Sequence, residues 1–136
     1  MLRTLRLLAV LVCGVFGGAV PASAEWNICN EYREPQKAIA ACTRMISAGT
    51  FQPMFHVYGA RGVAHSWSGS YDLAIRDFDE CLRLEPKDSI CFGQRGIAYK
   101  LKGNRAQALA DLQTAVTLDP KNETAVSELN KLRSGK

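Results

Sequence analysis

A 34-residue repeat is the feature of this sequence that most limits how the chain can fold. The segment GSYDLAIRDFDECLRLEPKDS at residues 69–89 returns in related form as GNRAQALADLQTAVTLDPKNE at residues 103–123. Self-similarity at a fixed spacing of this length is typical of arrays in which one small structural unit stacks on the next. The sequence therefore predicts a stack of equivalent units.

Each unit has the spacing of two amphipathic helices. Gly69 and Gly103 separate the two helices of each unit, and Pro86 and Pro120 end each unit, because proline cannot continue a helix interior. Apolar and small residues recur at steps of three and four, which places them on one face of each helix. In the first copy they are Tyr58, Gly62, His65, Ala74, Phe78, Cys81 and Leu82, and in the second Phe92, Gly96, Tyr99, Ala108, Leu112, Ala115 and Val116.

These residues resemble the tetratricopeptide repeat family, with an aromatic residue, glycine, alanine, a large apolar residue, a small residue and proline in the family's places. The resemblance implies an all-α fold, a short right-handed α-solenoid of helix–turn–helix hairpins, with repeats at 55–88 and 89–122. The chain departs from the family at Arg61 and Arg95, where leucine is common. It also departs at His65, where tyrosine is usual, and we interpret His65 as a buried, hydrogen-bonded ring.

The flanking segments are expected to complete the stack, because about three repeats are needed for independent stability. Residues 25–52 are interpreted as a degenerate hairpin, whose second helix matches the repeats through Ala38 and Ile39. Residues 123–136 are interpreted as a capping helix and tail, with Val126 in its apolar stripe. The prediction is about two and a half repeats plus a cap, or about six helices.

Residues 1–24 have the pattern of a secretory signal peptide. Arg3 and Arg6 precede an apolar stretch at 7–20, and PASA at 21–24 provides a cleavage site after Ala24. As a helix the stretch would reach about 21 Å, short of the roughly 30 Å hydrocarbon core, which disfavours the alternative of an uncleaved membrane anchor. We therefore expect export, most simply to a bacterial periplasm, with no membrane attachment after cleavage.

Four cysteines remain after this cleavage: Cys29, Cys42, Cys81 and Cys91. An even number in an exported domain indicates two disulfides among three pairings. Cys81 and Cys91 lie equally far from Pro86, which would bring them to the same level in an antiparallel helix pair, within disulfide reach. Cys42 lies on the helix that is expected to pack over Cys29, so these two could form the second disulfide. The alternative is four buried thiols at positions that require small side chains.

The sequence contains no recognised catalytic, metal-binding or cofactor-binding motif, so we expect a non-catalytic protein without metal or cofactor. His56 and His65, nine residues apart on one helix, would point to opposite faces and could not share a metal. The acidic group in RDFDE is interpreted as a solvated charged face. This face would contain Asp77, Asp79 and Glu80, with Arg76 and Arg83 nearby.

The resemblance places a binding surface on the concave face, which the first helix of each hairpin forms. Relatives that bind the acidic carboxyl termini of chaperones use lysine, asparagine and arginine there, whereas Gly59 and Val63 replace two of those groups in this chain. An extended apolar peptide or a helix suits the face better. The face comprises His56, Gly59, Val63, Ser66 and Trp67, then Ile90, Gly93, Ile97, Lys100 and Leu101, with Thr124, Ser127 and Lys131 from the cap.

Trp67 beside Leu101 is the expected anchor of this face, and the alternative is that Trp67 packs against the next repeat and leaves no open patch. Without Arg3 and Arg6, the 17 basic residues become 15 against 13 acidic ones, a net charge of about +2 that is scattered singly, so nucleic acid is not an expected partner.

Three functional hypotheses follow. The first is an exported adaptor that holds a protein or peptide partner in an apolar groove. The second is a self-associating module, such as a homodimer that covers an incompletely buried end, or an accessory subunit of an envelope complex. The third and weakest is an enzyme with an unrecognised site.

Overall fold

The computed structural model describes residues 20–135, which form seven α-helices and no strand. The signal-peptide prediction lies largely outside this range. Among the described helices, none combines the length and the apolar character needed to cross a bilayer. The helices are α1 (Ala22–Cys29), α2 (Pro35–Ala48), α3 (Phe55–Trp67), α4 (Tyr71–Leu84), α5 (Ser89–Leu101), α6 (Arg105–Leu118) and α7 (Glu123–Arg133).

Consecutive helices pair into hairpins that stack along the chain. The pairs are α1 with α2, α3 with α4, and α5 with α6, and α7 packs on α5 and α6. The first helices of neighbouring hairpins also touch, since α1 contacts α3 and α3 contacts α5. The predicted all-α solenoid of hairpins is confirmed. Seven helices are described where about six were expected, because the short partner segment of the first hairpin forms the eight-residue helix α1.

Side-chain caps and glycines set the helix boundaries. Asp88, Asn104 and Asn122 each accept a hydrogen bond from a backbone N–H in the first turn of α5, α6 and α7, which satisfies a donor that the helix itself leaves free. Gly69 and Gly103, with φ of 76° and 89°, reverse the chain after α3 and α5 in a conformation that other residues rarely adopt.

The core is divided among the hairpins. Phe78 in α4 and Leu112 in α6 are fully buried and occupy equivalent positions of the two repeats. Each packs against a glycine of the partner helix: a Cβ on Gly62 would lie 2.7 Å from the Phe78 ring, and one on Gly96 would lie 2.9 Å from Leu112 Cγ. The helices of each hairpin therefore approach as closely as they do because these two positions lack a side chain.

Two disulfides join successive helices. Cys29 pairs with Cys42 between α1 and α2, at a Cα–Cα distance of 4.8 Å, and Cys81 pairs with Cys91 between α4 and α5, at 6.5 Å. This is the pairing that the sequence favoured over free thiols. Closing loops of this length stabilises a fold by about 2–3 kcal/mol each in the chain-entropy model.

Two glycines of α5 provide a matched test of this packing. Gly96→Ala should lower the free energy of unfolding by about 1–3 kcal/mol, because its Cβ would overlap Leu112 and crowd the α6 backbone. Gly93→Ala should be neutral or stabilising by up to about 1 kcal/mol, since its Cβ would meet neighbours at 3.6–3.8 Å and alanine favours the helix. Urea unfolding monitored by circular dichroism measures both, and equal effects would contradict the close-packing argument.

Candidate functional site

A groove runs between α3 and α5 and contains two adjoining pockets that share Val63 and Gln94. The first, here called the aromatic pocket, has a volume of about 210 Å³ and extends to α1. The second, here called the distal pocket, lies toward the carboxyl ends of α3 and α5 and is lined by Val63, Ser66, Trp67, Gln94, Ile97 and Leu101. The two pockets form one continuous surface.

Aromatic side chains form the walls of the aromatic pocket. Trp26 of α1 stacks on Phe51 with ring centroids 4.8 Å apart, and its ring lies 6.5 Å from that of His56. Phe55 and His56, in the first turn of α3, have ring centroids 4.0 Å apart. Tyr32, from the turn after α1, completes the wall. The first hairpin thus contributes directly to the site.

A glycine and a disulfide lie together at one side of the aromatic pocket. Cys91 lines the pocket beside Gly59, and a Cβ on Gly59 would lie 3.3 Å from the Cys91 sulfur. Any side chain at this position would narrow the pocket. The Cys81–Cys91 bridge also fixes the start of α5, where Asp88 and Ile90 form the opposite edge.

The distal pocket presents its largest side chains to solvent. Trp67 is 70% exposed and Leu101 is 49% exposed, whereas Val63 and Ile97 beneath them are partly buried. The next repeat therefore does not cover Trp67, and the alternative in which this patch is closed is wrong for the described chain. Large exposed apolar side chains grouped in a concave surface are typical of binding sites.

Two residues expected on this face lie elsewhere. Gly93 is buried, and a Cβ there would face Ala125 of α7. Lys100 donates a hydrogen bond to Glu128 of α7, and Lys131 binds the same carboxylate at 2.8 Å. These hydrogen bonds lower the pKa of Glu128.

Helix α7 thus covers a side of α5 that the repeat pattern alone predicted to be exposed. Thr124, Ser127 and Lys131 of α7 do not line either pocket. The remaining expected residues, His56, Gly59, Val63, Ser66, Trp67, Ile90, Ile97 and Leu101, line one pocket or both.

Several lining residues were missed from the sequence. Gln94 lies one turn from both Ile90 and Ile97, so helical spacing could have identified it. Trp26 and Tyr32 were missed because the segment that contains them has little similarity to the repeats. Asp88 was missed because it lies in the turn before α5, outside the helical spacing of the face.

The RDFDE carboxylates do not form a single solvated face. Asp77 is buried and makes a two-pronged ion pair with Arg61 at 2.7 and 2.8 Å, and Asp111 makes the same pair with Arg95 at 2.7 and 2.9 Å. Arg95 also bonds Asp79 of the preceding repeat at 2.6 Å. The solvated interpretation of Asp77 is therefore wrong.

The residues that replace the family's leucine provide the partners of these buried carboxylates. The hydrogen bonds to Asp77 and to Asp111 raise the pKa of Arg61 and of Arg95 respectively, against an opposing effect of burial. Both arginines therefore remain charged, and Arg95 ties two successive repeats together. Asp79, Arg76 and the pair of Glu80 with Arg83 lie on the solvent side, as expected.

His65 is only partly buried, with 12% of its side chain exposed, and its ring is not hydrogen-bonded as expected. Its Nε2 lies 3.7 Å from Asp77 Oδ2, and Nδ1 has no partner among the described residues. Burial lowers the pKa of this imidazole, partly opposed by the Asp77 carboxylate.

A metal is not held by the one cluster of potential ligands in the described part of the chain. Its members are Cys81, Asp88 and Cys91. Both sulfurs are joined in the disulfide, which leaves a single carboxylate.

Comparison with known proteins gives consistent matches. Residues 55–88 and 91–122 match the family model for the tetratricopeptide repeat. The second TPR domain of human RPAP3, solved in complex with the HSP70 peptide SGPTIEEVD, is 28% identical, with 82% of this chain and 94% of that chain covered and a TM-score of 0.71.

Two further solved structures share the fold at lower identity. The Arabidopsis OM64 TPR domain is 21% identical over 85% of this chain and 96% of that chain, with a TM-score of 0.73. The TPR2B domain of yeast Sti1, in a complex with pHsp70, is 21% identical, with 85% of this chain and 98% of that chain covered and a TM-score of 0.72. Among curated protein sequences, none is significantly similar to this chain.

The partial burial of His65 predicts a pH-dependent stability. Because its pKa is below the ordinary value of 6.5 in the folded chain, the unfolded state takes up the proton first as the pH falls. The free energy of unfolding should therefore decline as the pH drops below that value. His65→Tyr, which introduces the residue found at the equivalent Tyr99, should reduce the decline between about pH 7.5 and about pH 5 in urea unfolding. Identical pH profiles for the two proteins would contradict this account.

Proposed function

Because the chain belongs to the tetratricopeptide repeat family, we propose that it is a scaffold that binds a protein partner in the groove between α3 and α5. The observation that supports this most directly is the exposure of Trp67 and Leu101 over the partly buried Val63 and Ile97. An exposed tryptophan that lines an apolar recess is the kind of residue that dominates binding energy in protein interfaces.

The chemistry of the groove favours an apolar segment as the occupant. The human RPAP3 domain was solved with a peptide that ends in EEVD, which is acidic. In the described part of this chain, neither pocket is lined by lysine or arginine, and Lys100 is bound by Glu128. The groove therefore offers little compensation for an acidic carboxyl terminus, whereas apolar side chains would bury against Trp67 and Leu101.

Gln94 gives the groove a polar centre. It lies between the two pockets, where its amide offers both a donor and an acceptor. An extended segment presents unpaired backbone N–H and C=O groups along its length, and these need partners when they are buried. We infer that Gln94 bonds the backbone of the bound segment while its side chains enter the pockets on either side.

We also propose that the chain acts after export to an oxidising compartment. The pattern of residues 1–24 and the two disulfides support this location. Cleavage after Ala24 would fall inside α1 and leave Glu25 as the first residue. Glu25 is buried and makes a two-pronged pair with Arg44 at 3.0 Å, so this contact would tie the new amino terminus to α2.

Substitution of the groove tests the proposed binding. Once a partner has been captured and identified, Trp67→Ala should raise the Kd for that partner about tenfold or more. Leu101→Ala should raise the same Kd by a smaller factor. Leu118→Ala is the matched control, because Leu118 is an exposed leucine on α6 that lines neither pocket. Fluorescence anisotropy measures the affinities, and unchanged binding by both groove variants would refute the proposed site.

Sedimentation velocity distinguishes a partner from a second copy. A concentration-dependent dimer that Trp67→Ala abolishes and Leu118→Ala retains would identify another copy of the chain as the occupant. A monomer at all concentrations, with partner binding intact, is the expected result.

Expression of the full-length chain with a carboxyl-terminal tag tests export. The tagged protein should appear in the periplasmic fraction of a bacterial host, with Glu25 as its first residue and no thiol that reacts with an alkylating reagent before reduction. Mass spectrometry reads both properties. An intact amino terminus together with reactive thiols would contradict the proposal.

A further inference from the structure

We propose that the aromatic pocket binds a basic side chain, lysine or arginine, of the segment that occupies the groove. This inference rests on the proposed binding function and adds the chemical identity of one subsite. It assigns opposite specificities to the two ends of the groove, with a cationic group at the aromatic pocket and apolar groups at the distal pocket.

The walls of the aromatic pocket suit a cation. Trp26, Phe55 and Tyr32 line it with His56, and the Trp26 and His56 rings are separated by 6.5 Å. The face of an aromatic ring has a negative electrostatic potential, and tryptophan attracts cations most strongly. The stem of lysine or arginine is apolar, so it can pack against Ile90 and Val63 while its charged end reaches the rings.

Asp88 gives the pocket a net negative charge. It is the only carboxylate that lines the pocket, and no lysine or arginine lines it in the described range. One carboxylate oxygen accepts a 2.6 Å hydrogen bond from the Cys91 backbone N–H. None of the ion pairs among residues 20–135 involves Asp88. A cationic side chain from the partner would therefore meet a carboxylate that the chain itself does not neutralise.

Helix capping does not require a charge at this position. The equivalent residue before α7 is Asn122, whose side-chain oxygen accepts the same kind of bond from the Ala125 N–H at 3.1 Å. A neutral side-chain oxygen thus suffices to cap a helix of this stack. Asp88 differs from Asn122 in charge and in facing an open aromatic pocket, whereas Asn122 also donates to the Ser89 carbonyl oxygen at 3.3 Å.

The equivalent residue of the next repeat, Asn122, suggests a variant that separates helix capping from charge. Asp88→Asn keeps a capping oxygen and removes the charge. Asp119→Asn is the control, because Asp119 follows α6, bonds the Lys121 N–H at 3.0 Å and lines neither pocket. Both substitutions change the net charge equally, so a general electrostatic effect would appear in both proteins. Equal thermal midpoints for the parent and Asp88→Asn proteins would show that the cap is retained.

Selection from a randomised nonapeptide display library against the full-length protein, its Asp88→Asn variant and its Asp119→Asn variant tests the inference. The expected result is a consensus in which lysine or arginine stands at a fixed distance from apolar residues. The basic preference should be lost with Asp88→Asn and kept with Asp119→Asn. The apolar preference should be kept with both and lost with Trp67→Ala.

Synthetic consensus peptides then quantify the contact. Replacement of the basic residue by methionine should weaken binding to the parent protein by about 5- to 20-fold. The same replacement should have little effect on binding to Asp88→Asn, so that the two changes are not additive.

The possible results separate this inference from the function on which it rests. An apolar consensus with no basic position, or a basic preference that survives Asp88→Asn, would overturn the cation subsite and leave the groove intact. A library that yields no sequence dependent on Trp67 would overturn both.

Discussion

The close approach of the two helices in each hairpin is the constraint on which the rest of the structure depends. Gly62 and Gly96 leave room for the fully buried Phe78 and Leu112, and a Cβ at either glycine would overlap its neighbour. Since both contacts recur at the same repeat positions, the hairpins α3–α4 and α5–α6 pack their helices in the same way and can stack. The groove between α3 and α5 exists because the stack holds these two helices side by side.

Ion pairs and disulfides hold neighbouring helices together in addition to the apolar packing. Arg95 joins Asp111 within its own hairpin and Asp79 in the preceding one, while the two disulfides connect α1 to α2 and α4 to α5. A small domain buries a limited apolar area, so such links contribute a large share of its stability. The Cys81–Cys91 bridge has a second consequence, because its Cys91 lines the aromatic pocket beside Gly59.

The sequence predicted the hairpins, because these follow from spacing along one helix. The resemblance to the repeat family placed on one face eight of the residues that line the two pockets. The sequence did not predict that Gly93 and Lys100 face α7, since the path of a terminal helix depends on packing with no counterpart in the repeat. The pairing of buried Asp77 with Arg61 was also missed. Partners sixteen residues apart on different helices leave no periodic signal in either helix alone.

The amino-acid sequence by itself determined the repeating unit and its apolar face, because helical periodicity and the turn-forming glycines and prolines act over short distances. Only the tertiary structure decided which surfaces remain open. It brings Trp26 from the first hairpin, His56 from the second and Asp88 from the turn before α5 around one pocket, and it leaves Trp67 uncovered. The physical reason is that the exposure and charge of a surface depend on which helices pack together. That packing depends on contacts between residues that are far apart in the chain.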